Sequence, residues 1–206
     1  MKKLFFLLSG IACSVFYSCQ PIMRLALGVK KPQNETYASV RDFCIQNKID
    51  TSALFVSALD WQTLKVNLKN NLPADSIQNF GLPKVLAFDN KGNPISLDNP
   101  GKCTPGALSA LKKLQATQIK TSSRNSNLSA YLESFEGKDH RKVDFESVKD
   151  NSDIYIAFFW PKFWPSKTLE YYNELETLVK NQKDVKMKIL LFNCDSPEPK
   201  ATAELK

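Results

Sequence analysis

Apolar residues along the chain fall into short runs whose spacing changes from helical to strand-like and back. Tyr37, Val40, Phe43 and Cys44 recur at helical spacing within residues 37–47, which predicts a helix with Phe43 and Cys44 turned inward. Residues 53–60 (ALFVSALD) read as a buried strand, and Trp61 to Leu72 as a second helix with an irregular stripe of Leu64, Val66 and Leu68. Residues 82–97 (LPKVLAFDNKGNPISL) combine an apolar strand, a polar turn containing Gly92 and a second short strand, the pattern of a hairpin. Thr104 is placed to cap the next helix with Pro105 at its first position, and Leu108, Leu111 and Leu114 line one face of it.

Beyond a polar connector at 116–127, Leu128 to Phe135 suggests a short helix and residues 137–153 a largely charged and solvated stretch. Ile154 to Trp160 (IYIAFFW) is continuously apolar and rich in β-branched and aromatic residues, as expected of a central strand buried on both faces. Leu169, Tyr172, Leu175, Leu178 and Val179 mark one side of a following helix, and Val185 to Phe192 forms another strand ending at Asn193-Cys194-Asp195. Strand, helix and strand at this spacing make a βαβ unit with parallel strands. The expected fold class is α/β, a mixed sheet flanked by helices. At 206 residues the chain can build one core but hardly two. Its 43% hydrophobic and 24% charged residues exclude wholesale disorder.

The formal charge of +7 includes Lys2 and Lys3 at the N-terminus. The other lysines are scattered, with the tightest groups at Lys30-Lys31, Lys112-Lys113 and between Lys180 and Lys188. No aromatic-basic motif for stacking bases accompanies them, so nucleic acid is not an expected partner. Weak attraction to anionic headgroups is compatible with the charge.

Lys2 and Lys3 precede an uncharged run from Leu4 to Tyr17, a positive n-region followed by an apolar h-region. That run is shorter than the roughly 20 residues needed to span a bilayer. The segment Val15-Phe16-Tyr17-Ser18-Cys19 then resembles a bacterial lipobox, although Tyr17 is bulky for its place. The resemblance implies that residues 1–18 are a signal peptide and that Cys19 becomes an acylated first residue. Residues 19–33 would be a lipid-anchored tether and 34–206 the folded domain, in a hairpin-containing half (34–117) and a βαβ half (118–206). The implied address is the bacterial cell envelope, most naturally its periplasmic side, with the lipid membrane as one partner and an envelope protein as another class of partner.

With Cys13 in the leader and Cys19 acylated, Cys44, Cys103 and Cys194 remain, enough for one internal disulfide among three possible pairings. No two of them make a C-x-x-C pair. The single histidine, His140, lies in the charged run GKDHRK and reads as solvated. Neither a metal nor another cofactor is expected.

The stretch IAFFWPKFWPSKTLEYYNELETL followed by VKMKILLFNCD resembles the central βαβ of the thioredoxin-like superfamily. Phe159-Trp160 matches that family's strand end, Pro165 and Lys167 its proline and lysine, and Asn193 and Asp195 the end of its next strand. Ser166 falls on the second cysteine of the redox motif. The first falls on Trp164 or is deleted, since the loop is one residue short. Residues 81–97 are similar to the family's later hairpin, which implies a cis-proline at Pro83, where a generic hairpin entered through a proline is the other reading. In the family the hairpin follows the βαβ, whereas here it precedes it. The implied sheet is either permuted or contains an incomplete second copy. One shared sheet is expected, because an isolated βαβ would leave apolar strands exposed at an edge.

Thioredoxin-type chemistry needs a thiolate at the helix start and a resolving thiol. Trp164 and Ser166 can supply neither, and His140 has no signal placing it as a base for Ser166. The expectation is therefore no enzyme at this junction, but a redox-inactive binding or structural module. A thiol-disulfide oxidoreductase or redox partner is the alternative, acting through Cys103, just ahead of a helix start, or Cys194, at the end of a parallel strand. Against both stands the simpler reading, that free cysteines are commonly buried small hydrophobes or that Cys44 and Cys103 form a structural disulfide. Phe163 and Trp164, flanked by Pro161 and Pro165, are a candidate contact patch.

Overall fold

The computed structural model describes residues 28–72, 81–97, 104–114 and 127–199. The leader, Cys13, Cys19, Cys103 and nearly all of the 116–127 connector lie outside the described residues. Five strands form one mixed sheet: β1 (Leu54–Ser57), β2 (Lys84–Asp89), β3 (Phe135–Glu136), β4 (Ile154–Trp160) and β5 (Met187–Asn193), in the order β2-β4-β5-β1-β3. β4, β5 and β1 run parallel, with Phe159 opposite Phe192 and Leu54 opposite Leu191. β2 is antiparallel to β4, with Lys84 opposite Phe159, and β3 is antiparallel to β1.

Six α-helices cover the sheet among the described residues: α1 (Tyr37–Gln46), α2 (Trp61–Asn71), α3 (Thr104–Lys112), α4 (Leu128–Leu132), α5 (Phe145–Val148) and α6 (Pro165–Asn181). The strand period of two sorts the core into two layers. Ile154, Ile156, Phe158 and Trp160 of β4 face the layer built with Val40 and Cys44 of α1, Leu108 and Leu111 of α3, and Tyr172, Leu175 and Leu178 of α6. Tyr155, Ala157 and Phe159 face the other layer, with Leu64 and Leu68 of α2, Leu128, Tyr131 and Leu132 of α4, and Phe145 of α5. All seven residues of β4 are buried, which is why its sequence shows no polar alternation. The second layer is aromatic: Phe159 stacks on Phe192 with centroids 4.8 Å apart, and Phe135 meets Phe192 edge-on at 4.9 Å.

Side-chain caps start most of the helices. Thr36 and Ser39 form a reciprocal capping box before α1, Asp60 accepts from the N–H groups of Gln62 and Thr63 before α2, and Asn127 and Asp144 cap α4 and α5.

Several expectations are corrected. Val66 is 56% exposed, because the buried stripe of α2 runs through Leu64 and Leu68, four apart, with Trp61 packed beside them. Phe43 is only partly buried beside the fully buried Cys44. Thr104 lies inside α3 rather than ahead of it, and its hydroxyl donates to the carbonyl of Pro83. The expected helix at 128–135 stops at Leu132, and Phe135 opens the edge strand β3, which no periodicity announced because it is two residues long. The strand expected at 53–60 shrinks to four residues, and Asp60 turns instead to cap α2. The second arm of the hairpin is reduced to bonds such as Ile95 N–H to Ala87 O (2.9 Å) around Gly92, whose φ of +80° favours glycine. Residues 137–153 are largely exposed, as expected, with Phe145 a buried exception, packed edge-on against Tyr155 at 5.3 Å.

Candidate functional site

The parallel strands β4 and β5 end side by side, with Trp160 opposite Asn193, and the Cys194 N–H donates to the Trp160 carbonyl at 2.8 Å. This carboxyl edge, where the chain passes from β4 through residues 161–164 into α6, is where open α/β sheets hold ligands. Pro165 begins α6, where its missing N–H is harmless. Thr168, one turn on and fully buried, donates its hydroxyl back to the Pro161 carbonyl at 2.9 Å and fixes the loop to its helix.

Asp195 sits beneath that loop with 5% of its surface exposed. Its Oδ2 accepts the backbone N–H of Lys162 at 2.6 Å and the Nδ2 of Asn193 at 2.8 Å. Burial is the largest influence on this carboxyl and pushes its pKa up to about 6; the two donors pull it down, the Glu35 charge raises it and the Lys162 ammonium lowers it. Lys162 also reaches outward, its Nζ lying 2.7 Å from Oε2 of Glu35. Trp160, 1% exposed, stacks on Phe43 of α1 with centroids 5.7 Å apart.

The chain ahead of α1 crosses this junction. Lys30 donates its N–H to the Phe163 carbonyl at 2.7 Å, and Glu35 exchanges backbone bonds with Ser196 and Glu198 beside β5. Gly28 has φ +66°, and a Cβ there would lie 3.2 Å from Oγ of Ser166. Contact with the domain thus reaches into the segment expected to be tether. Between the crossing segment and the loop lies a recess of ≈ 180 Å³ lined by Lys30, Lys31, Gln33, Glu35, Phe43, Lys162 and Phe163.

Of the residues singled out from sequence, Phe163, Trp164, Pro165 and Ser166 fall together at this junction, with Phe163 and Trp164 half-buried. The Leu82–Pro83 peptide is cis, and the β2–β4 register carries Pro83 to the same end of the sheet as Trp160. Cys44 and Cys194 are both free and buried. Burial pushes the Cys44 thiol up to about 12, and burial reinforced by the Asp195 charge raises Cys194 well above its ordinary value. Both shifts are opposite to what a nucleophilic thiolate needs. Cys103 and Cys19 lie outside the described residues. His140 is exposed and pairs with Glu136 at 2.8 Å. Among the described residues no group of three His, Cys, Asp or Glu side chains could hold a metal ion, and no helix is long and apolar enough to cross a membrane.

The roles of Lys162, Glu35 and Asp195 were not anticipated. A carboxylate two residues past the end of an apolar strand is the one local signal for a buried polar anchor, but its partner lies 33 residues away. Compared with protein-family models, curated proteins and solved structures, the chain shows no match.

Proposed function

We propose that this protein is a membrane-anchored envelope lipoprotein whose thioredoxin-like α/β domain is redox-inactive and serves a binding or structural role. The observation that carries the reading is the strand-to-helix junction itself: residues 160–167 (WPKFWPSK) hold no sulfur. Trp164 and Ser166 can neither attack a disulfide nor release a mixed one. The sheet order and the antiparallel approach of β2, entered through Pro83, support a thioredoxin-like arrangement in which the N-terminal half supplies the strands that elsewhere follow the βαβ. The lipobox-like segment ending at Cys19 supports the anchor.

Two measurements test this. Mass spectrometry of the mature protein is expected to find an acylated N-terminal Cys19, and an unmodified terminus starting elsewhere refutes the address. A disulfide-reduction assay is expected to show no turnover. Sustained turnover that is lost on replacing Cys103 or Cys194 would establish the oxidoreductase alternative instead.

A further inference from the structure

Residues 28–35, ahead of α1, lie against the same face as the β4–α6 loop. From Gln20 to Asn34 the sequence contains Arg24, Lys30 and Lys31 and no acidic residue. Lys30 and Lys31 are exposed and line the recess together with Phe43 and Phe163. Among the described residues Glu35 is the only carboxylate lining that recess, and it is held by Lys162 at 2.7 Å rather than by Lys30 or Lys31. The crossing segment is fixed in place by the bond from Lys30 N–H to Phe163 O at 2.7 Å.

We propose that this face, made of residues 28–33 and the β4–α6 loop, docks on the anionic lipid headgroups of the membrane that carries the acyl chains. The inference rests on the acylation of Cys19. Between Cys19 and Gly28 stand only residues 20–27, which at full stretch reach about 30 Å. A domain of this size is about 40 Å across, so a leash shorter than the domain holds residue 28 within about 30 Å of the bilayer, and the charge of the face around it favours that face turning toward the headgroups. Lysines beside half-buried aromatic rings suit the headgroup layer, where cations meet phosphates and rings sit at the apolar boundary. Lys180 and Lys183 near the C-terminal end of α6 are also exposed, but the helix places them about 25 Å from the junction.

The test uses the acylated full-length mature protein, reconstituted into vesicles of phosphatidylcholine alone or with added phosphatidylglycerol, and labelled with an amine-reactive reagent. Labelling of Lys30 and Lys31 is expected to fall about five-fold or more on the anionic vesicles and to recover in high salt, while Lys180 and Lys183 do not change. The variant Lys30→Gln/Lys31→Gln, followed through Lys162 labelling and hydrogen exchange of residues 28–35, is expected to lose the lipid dependence. Equal labelling on both vesicles overturns the proposal. So does protection seen only in native envelope membranes, which would assign the face to a protein partner. The mass of the N-terminal peptide, measured on the same sample, reports separately whether the anchor exists.

Discussion

Asp195 and Lys162 are joined twice over: the carboxylate accepts the lysine's backbone N–H at 2.6 Å, and the lysine's ammonium lies near enough to lower the carboxyl pKa. One buried acid thereby holds the turn between the central strand and α6, and the side chain it positions clasps Glu35 of the crossing segment.

Burial makes that acid a source of pH dependence. Its pKa in the folded protein, about 6, lies above the ordinary carboxyl value, so the protonated form is favoured by folding. Its contribution to stability is fully present below about pH 4 and is lost as pH rises through about 6, a change on the order of 2–3 kcal/mol. Asp195→Asn keeps an oxygen for the Lys162 N–H but cannot ionise. The melting temperature of this variant relative to the wild type is expected to be more favourable at pH 8 than at pH 4.5. A difference independent of pH would show that Asp195 does not titrate in this way.

The two neighbouring charges act on the same carboxyl with opposite sign. Glu35→Gln removes a negative charge and should lower the pKa of Asp195; Lys162→Met removes a positive one and should raise it. Carbon-detected NMR titration of the Asp195 carboxyl reads both shifts directly. Both variants should also speed hydrogen exchange at Lys30 and Glu35, since they break the clasp between loop and crossing segment.

Cys44 and Cys194 should resist alkylation in the native protein and react only on unfolding, because both thiols are buried with raised pKa values. Site-resolved labelling with and without denaturant checks this. Rapid native labelling of Cys194 would mean that the end of β5 opens to solvent.

On α2, Leu64→Ala should cost about 2–5 kcal/mol and Val66→Ala less than about 0.5 kcal/mol, although sequence spacing places both in one apolar stripe. Urea unfolding of the two variants distinguishes a stripe of two from a stripe of three. Equal costs would return Val66 to the core.

Parts of the candidate site were legible because they are local. Pro165 opening a helix after an apolar strand, and the absence of cysteine from residues 160–167, are facts of adjacent residues. The clasp was not legible, since Glu35 and Lys162 stand 127 residues apart and each is an ordinary surface residue until the fold brings them to 2.7 Å. Val66 failed for a related reason: the periodicity of α2 permits several stripes, and only the position of the sheet selects one.

By itself the sequence determined the elements with strong, continuous patterns: β4, which is apolar at every position because both its faces are covered, the amphipathic α6, and the parallel β5 that their spacing demands. Tertiary structure alone decided that β2 pairs with β4, that β1 lies beyond β5, and that two residues at 135–136 complete the edge. The reason is physical. Periodicity records which face of a segment avoids water, and so foretold the burial of Cys44, whereas strand order and the burial of Asp195 depend on which distant surface arrives to cover that face.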